Sequence, residues 1–332
     1  MNFTTTIRRK ICLLAFALFL AAPLFFVSAQ TPVVSPVKEK TKIKQKTVST
    51  DGDRLPAEKS IAVDAKVNIS LCVTEGNLKV TGWERNEIRA FVGNGSQVGL
   101  KVLQKNRQNN AVWVMVTGGK DEEECLSGEE IELDVPRGAT VNVKGRTTET
   151  KIEMVRKVTV KNIGGDISLN GIEQGINAST YEGDVMVENS GGAISLESAN
   201  GNIVAFDVAP SEIGDVFKAK TISGAITLQQ IEHRQNEISS TSGSIKYTGA
   251  FQSGGQYNLR TTNGSILLAI PEKSSCKIYA SYGNGKFSSE LKLNIITENN
   301  TSQAQKLAAS LGSGDASVNL TTYSGAIRIK KQ

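Results

Sequence analysis

Paired carboxylates are the first residues that could do chemistry. Asp166 and Asp184 each follow a glycine, in Gly165-Asp-Ile167 and Gly183-Asp-Val185. In a chain that repeats at that spacing they would stack one above the other, as the acid and base of glycosidases and lyases do. Other copies of the motif carry Ala, Asn or Ser there, so turn chemistry beside a glycine accounts for both, and no catalytic residue is assigned. His233, the single histidine, lies between Glu232 and Arg234. It has no partner set for a nucleophile or a metal and is expected in solvent. Gly164-Gly165-Asp166 is a fragment of the calcium-binding nonapeptide pattern and does not recur, so neither metal nor cofactor is called for. Tyr181 and Tyr323 stand two residues before a motif glycine and Tyr282 three before Gly285. If they project along one corner of a coil, their rings could stack on sugars, and they are the candidate binding residues.

The element that must position these residues is a repeat. Gly-x-apolar-x-apolar occurs at Gly165, Gly183, Gly192, Gly201, Gly224, Gly243, Gly264 and Gly325. Positions seven and five before the glycine are apolar in most copies, for example Val158 and Val160, Phe217 and Ala219, Tyr257 and Leu259. That alternation marks a strand with one buried face. The third position before the glycine is Asn162, Thr180, Asn189, Ser198, Thr221, Ser240, Thr261 or Thr322, small polar residues suited to bonding a turn's backbone. Gly183, Gly192 and Gly201 are nine residues apart, so the strand after one glycine serves as the strand before the next. The expected fold is all-β: a parallel β-solenoid of about 20 residues per turn with right-handed crossovers. Asn-Gly pairs at 200–201 and 263–264 would also suit a row of hairpins, but most copies have Ser or Glu before the glycine. Lys330 and Lys331 end the last strand and are expected to guard an open edge.

Around the repeat, residues 1–29 read as a signal peptide: Arg8, Arg9 and Lys10, then an apolar run from Ile11 to Val27 that is short for a membrane span and carries Pro23, then cleavage after Ala29. No transmembrane segment is expected after cleavage. Residues 30–60, with Pro32, Pro36, Pro56 and alternating lysines from Lys38 to Lys46, read as a linker. Residues 61–138 read as an irregular β cap and 139–332 as the solenoid. Loss of the signal lowers the formal charge from +5 to +2. With no basic face legible, nothing argues for nucleic acid. In an oxidising compartment Cys72 and Cys125, both in the less regular N-terminal part, are the candidate disulfide. Cys276, inside a strand, is expected to be a small buried apolar residue.

Several stretches together resemble the bacterial "putative adhesin" β-strand-repeat family of unknown function. They are Val80-Thr-Gly82-Trp83-Glu84-Arg85-Asn86-Glu87, Leu133-Asp-Val135-Pro136-Arg137-Gly138, and Thr261-Thr-Asn263-Gly264-Ser-Ile266 running into Ala269-Ile270-Pro271. The resemblance covers about residues 61–330 and implies an exported right-handed parallel solenoid, with no catalytic residues to carry over. The expected role is a non-enzymatic interaction module contacting envelope polysaccharide or a surface protein. Alternatives are a periplasmic structural or accessory protein and a polysaccharide lyase or hydrolase.

Overall fold

Strict alternation of apolar and polar residues sets the local structure of this chain. In Ile176–Glu182 the side chains of Ile176, Ala178 and Thr180 point inward, and in Ile194–Asn200 those of Ile194, Leu196 and Ser198 do. The computed structural model describes residues 57–104, 112–119, 124–300 and 305–332. The expected signal peptide and most of the expected linker lie outside these. Among the described residues there are 25 strands and no helix, hence none long and apolar enough to cross a membrane.

The strands form one continuous, mostly parallel sheet that coils back on itself with two strands per turn. Each strand pairs with the second one along, not with its neighbour in sequence: Ile176–Glu182 lies between Lys157–Gly164 and Ile194–Asn200, while Val185–Gly191 lies between Ile167–Asn170 and Ile203–Ala209. The first set, preceding the motif glycine, makes one face of the coil. The second set, following it, makes the other. Two long strands, Asn68–Trp83 and Thr140–Glu153, run through both faces and pair in parallel register from Asn68↔Thr140 to Thr81↔Glu153. The coil therefore begins well before residue 139, inside the region expected to be an irregular cap, and the strand Ala57–Ala62 starts within the expected linker. Between the faces lies a dry core of stacked Val, Ile and Leu side chains, one contiguous apolar cluster. Such a turn has no core of its own and folds only against its neighbours.

Sequence order and stacking order part company at both ends. The C-terminal strands Ala316–Ser324 and Ile327–Lys331 do not form an open edge. They insert between Gln256–Asn263 and Ile266–Ile270 on one side and Cys276–Ser281 and Phe287–Ser289 on the other. Lys330 and Lys331 are thus not edge guards as expected: the edge is built earlier in the chain, where Gln305–Leu311 and Asn294–Asn300 add antiparallel. At the other end Asn68–Trp83 is likewise interior, held between Thr140–Glu153 and the pair Val112–Thr117 and Leu126–Pro136. Antiparallel strands finish that end, with Arg89 bridging Glu58 (2.8 Å) and Asp134 (3.1 Å) across three of them.

Candidate functional site

Three interlocked ladders occupy the corner that carries the motif glycines. Gly165, Gly183, Gly201, Gly224, Gly243, Gly264, Gly325 and then Gly285 stack in a column, and a Cβ on any after the first would stand 1.7–2.4 Å from the carbonyl oxygen of the glycine before it. Only glycine lets successive backbones approach so closely. That same carbonyl accepts the hydroxyl three residues before the next glycine: Ser198 Oγ to Gly183 O (2.9 Å), Thr221 Oγ1 to Gly201 O (2.9 Å), Ser240 Oγ to Gly224 O (3.0 Å), Thr261 Oγ1 to Gly243 O (2.9 Å) and Thr322 Oγ1 to Gly264 O (2.8 Å). These hydroxyls are buried, and the bond satisfies both partners.

The third ladder contains the two aspartates. Asp184 N–H donates to Asp166 Oδ1 (2.8 Å), Asn202 N–H to Asp184 Oδ1 (2.7 Å) and Ala225 N–H to Asn202 Oδ1 (2.9 Å). Asp166 and Asp184 do lie on successive turns, but each accepts a backbone N–H from the turn above, a role Asn202 fills equally well. Among the described residues no three His, Cys, Asp or Glu side chains converge as a metal site.

The opposite corner is built differently. Met154, Gly171, Asn189, Asp207 and Gln230 occupy one register position there, all with φ between 47° and 66°. Asn189 therefore departs from the other small polar residues of its motif position: it is a left-handed corner residue, and its neighbour Ser190 turns inward to accept the Ile172 N–H.

His233 also lies at this corner and, contrary to expectation, is fully buried. Its ring carries the proton on Nε2 and donates it to Gly192 O at 2.8 Å. The ring packs 5.8 Å from Phe217, and its carbonyl accepts from Asn236 Nδ2 and the Tyr257 hydroxyl. Polar flanking residues suggest a solvated loop, yet the ring sits in the core between the Gly192 carbonyl and the Phe217 ring. Burial pushes its pKa below the ordinary 6.5, against the smaller upward pull of the Gly192 carbonyl, Asp215 and Glu232. A group neutral when folded but protonated when unfolded makes stability rise with pH, and that stability is lost as pH falls below about 6.5. Urea midpoints taken from pH 7.5 to 5 should therefore decline for the wild type and stay flatter for His233→Gln; parallel profiles would remove His233 from the pH response. Nearby, a cavity of about 650 Å³ is lined by Pro210, Ile213, Glu212, Asp215, Glu232 and Arg234. Its Asp215 carboxylate is occupied by the Ser211 and Glu212 N–H groups.

Of the three tyrosines, Tyr181 and Tyr323 are exposed in the same corner column. Five rungs separate them, through Ala199, Ile222, Thr241 and Thr262, or about 24 Å at the usual strand spacing. Tyr282 is not with them: it is 5% exposed and packs 6.0 Å from Phe287 inside the terminal turn. The three make no single aromatic platform. Cys72 and Cys125 form a disulfide. Cys276 is a buried free thiol whose pKa burial pushes up to about 11, inert at neutral pH.

What sequence reading missed is charge segregation. The outer side of the first face, from Thr140–Glu153 to Cys276–Ser281, does carry a basic surface. Lys144, Lys161, Lys220 and Arg260 share one column, Lys157, Lys218 and Lys277 flank it, and Arg146 stands at the corner; all are exposed. Glu197 and Glu237 are the outward carboxylates on the face itself, Glu182 is exposed at the corner that also carries Arg146, and Glu237 pairs with Lys218 at 2.9 Å. The signal was available four residues before the motif glycine, at Lys161, Lys220 and Arg260, but net charge averaged it away.

Two of the stretches that carry the family resemblance also meet in space. Trp83 pairs in register with Pro136, Arg137 N–H donates to Trp83 O (3.1 Å), and Arg137 Nε lies 2.9 Å from Glu84 Oε1. The chain matches the family described as Toastrack DUF4097 over residues 39–330. No curated protein matches it. Among solved structures, a "putative cell adhesion protein" from Clostridium sporogenes is 15% identical, with 84% of this chain and 100% of that chain covered and a TM-score of 0.23. A match over nearly the whole coil, on a chain whose corner glycines, hydroxyls and Trp-Glu and Pro-Arg stretches all serve one β-solenoid, places this protein in the Toastrack DUF4097 family.

Proposed function

We propose that this chain is an exported, non-enzymatic interaction module that contacts cell-envelope components through an outer face of its coil. The observation that carries the reading is where the reactive groups are used. Asp166 and Asp184 hold backbone N–H groups of the next turn, and His233 donates to a backbone carbonyl in the core. What the coil presents to solvent is a regular sheet face, a surface for contact more than a cleft for turnover. The charged and apolar N-terminal pattern and a disulfide support export to an oxidising compartment.

Protease shaving of intact cells carrying a tag after Gln332, with a known periplasmic protein as control, tests the location. Loss of the tag while the control survives is the expected result. Protection until the outer envelope is broken would replace the surface reading with a periplasmic structural or accessory role. Release of product from a panel of acidic polysaccharides would overturn the non-enzymatic reading.

A further inference from the structure

Residues 57–332 carry 29 Lys and Arg against 30 Asp and Glu, so the β body is neutral as a whole. Eight cations against three carboxylates, Glu182, Glu197 and Glu237, on the outer side of one face and its corner are therefore a separation of charge, not a reflection of composition. Only Lys218 among the eight is ion-paired within the described residues. The central column reads Lys144, Lys161, Ser179, Glu197, Lys220, Ser239 and Arg260, one residue per turn. At a strand spacing of about 4.8 Å, Lys220 and Arg260 stand about 10 Å apart along the stack. Between them runs a shallow groove of about 420 Å³ whose walls carry Lys218, Lys220 and Arg260 together with Glu197 and Glu237, the last of which is neutralised by its pair with Lys218.

We infer that this face binds a linear acidic polysaccharide laid across the strands, along the axis of stacking. The inference rests on the proposed role as an interaction module and names its ligand class and surface. Four cations without ion-pair partners among the described residues, at the first, second, fifth and seventh rungs and outnumbering Glu197 at the fourth, complement a chain that carries carboxylate or sulfate groups along its length, and their field raises the local concentration of such a chain. The hydroxyl and amide side chains between the cations match sugar hydroxyls, which donate and accept in turn. Single-stranded nucleic acid shares the charge but binds through bases stacked on aromatic rings. The positions flanking Lys220 and Arg260 are Ser, Thr, Asn, Glu, Lys and Ile, none of them aromatic, and the exposed tyrosines stand at the corner or the end of the face.

The mature chain from Gln30 is titrated, by fluorescence anisotropy at fixed salt, into labelled polygalacturonate, dextran sulfate, neutral dextran and oligo(dT). The first-face triple Lys161→Glu, Lys220→Glu, Arg260→Glu is compared with a second-face triple, Lys79→Glu, Lys246→Glu, Arg328→Glu, whose residues share one exposed column there. Both triples change the net charge equally and leave the lysines at 38–46 in place, so the difference between them isolates the face. At least tenfold weaker binding of an acidic glycan by the first triple, under threefold by the second, and no binding of neutral dextran is expected. If a reversal triple lowers the melting temperature, the corresponding Gln triple takes its place, with at least threefold loss expected from the first face. Equal losses from both triples, oligo(dT) bound as tightly as polygalacturonate, or no acidic glycan bound would overturn the inference. Should the wild type sediment with envelope fractions yet bind none of the acidic glycans, this inference falls and the interaction role stands; if it does neither, both fall.

Discussion

Gly243→Ala lowers the stability of the coil by about 3 kcal/mol, the upper range for forcing extra volume into a packed site. The added methyl would lie 1.9 Å from Gly224 O, and neither side can give way cheaply. Gly224 O already accepts the Ser240 hydroxyl at 3.0 Å. The Gly243 N–H donates to Asn263 O at 3.0 Å, and Gly243 O accepts the Thr261 hydroxyl at 2.9 Å. Moving Gly243 outward thus strains bonds to the turns on both sides, and a break mid-stack divides a fold whose units are stable only against neighbours. Gly164→Ala is the control. Its Cβ would meet nothing closer than 3.6 Å, so its cost stays within about 0.5 kcal/mol. Chemical denaturation of both variants decides the matter: similar small losses would mean that the glycine column reflects composition and not close approach.

That steric rule also explains how much of the fold could be read in advance. A glycine forced by close approach recurs at every turn, as does the hydroxyl that bonds beside it, so Thr180, Ser198, Thr221, Ser240 and Thr261 were visible as a series before their partner, the carbonyl of the preceding glycine, was known. Stacking order was not visible. The spacing between consecutive corner glycines is 18 to 23 residues as far as Gly264, yet the next rung is Gly325 and the one beyond it is Gly285. Parallel strands of identical pattern pair equally well in any order, and nothing in Gly325-Ala-Ile327 says which copy it will stack on. His233 was misread for a related reason. Inward direction at the opposite corner is set by a left-handed residue, here Gln230 at φ 54°, which shifts the alternation by one in a way polarity does not reveal. Tyr282 stands three residues before Gly285, the position whose side chain turns inward at Thr221, Ser240, Thr261 and Thr322, whereas Tyr181 and Tyr323, two before their glycines, face outward.

The end of the coil nearest Asn68–Trp83 depends on a different kind of constraint, and removing it should cost about 4 kcal/mol. Cys72 lies in that strand and Cys125 one residue before Leu126–Pro136, on adjacent parallel rungs where Val73 faces Leu126. The segment between them, with a sequence separation of 53, includes the strands Glu87–Gly93, Gly99–Gln104 and Val112–Thr117, which finish this end of the coil. Closing a loop of that length removes denatured-state entropy worth about 4 kcal/mol in the chain-entropy account. The double variant Cys72→Ala, Cys125→Ala is expected to unfold at correspondingly lower denaturant, and a reductant should bring the wild type to the same midpoint while leaving the double variant unmoved. Because each turn contacts only its neighbours, the loss should be local before it is global. Amide exchange should speed first in Leu126–Pro136 and Glu87–Gly93, with Gln235–Ser242 in mid-stack still protected. Cys276→Ala, which removes a buried thiol with no bridge, should keep the wild-type response to reductant. If the wild-type midpoint ignores reductant, the terminal strands are held by their packing and hydrogen bonds alone, with the Arg89 bridge to Glu58 and Asp134 the first contact to remove instead.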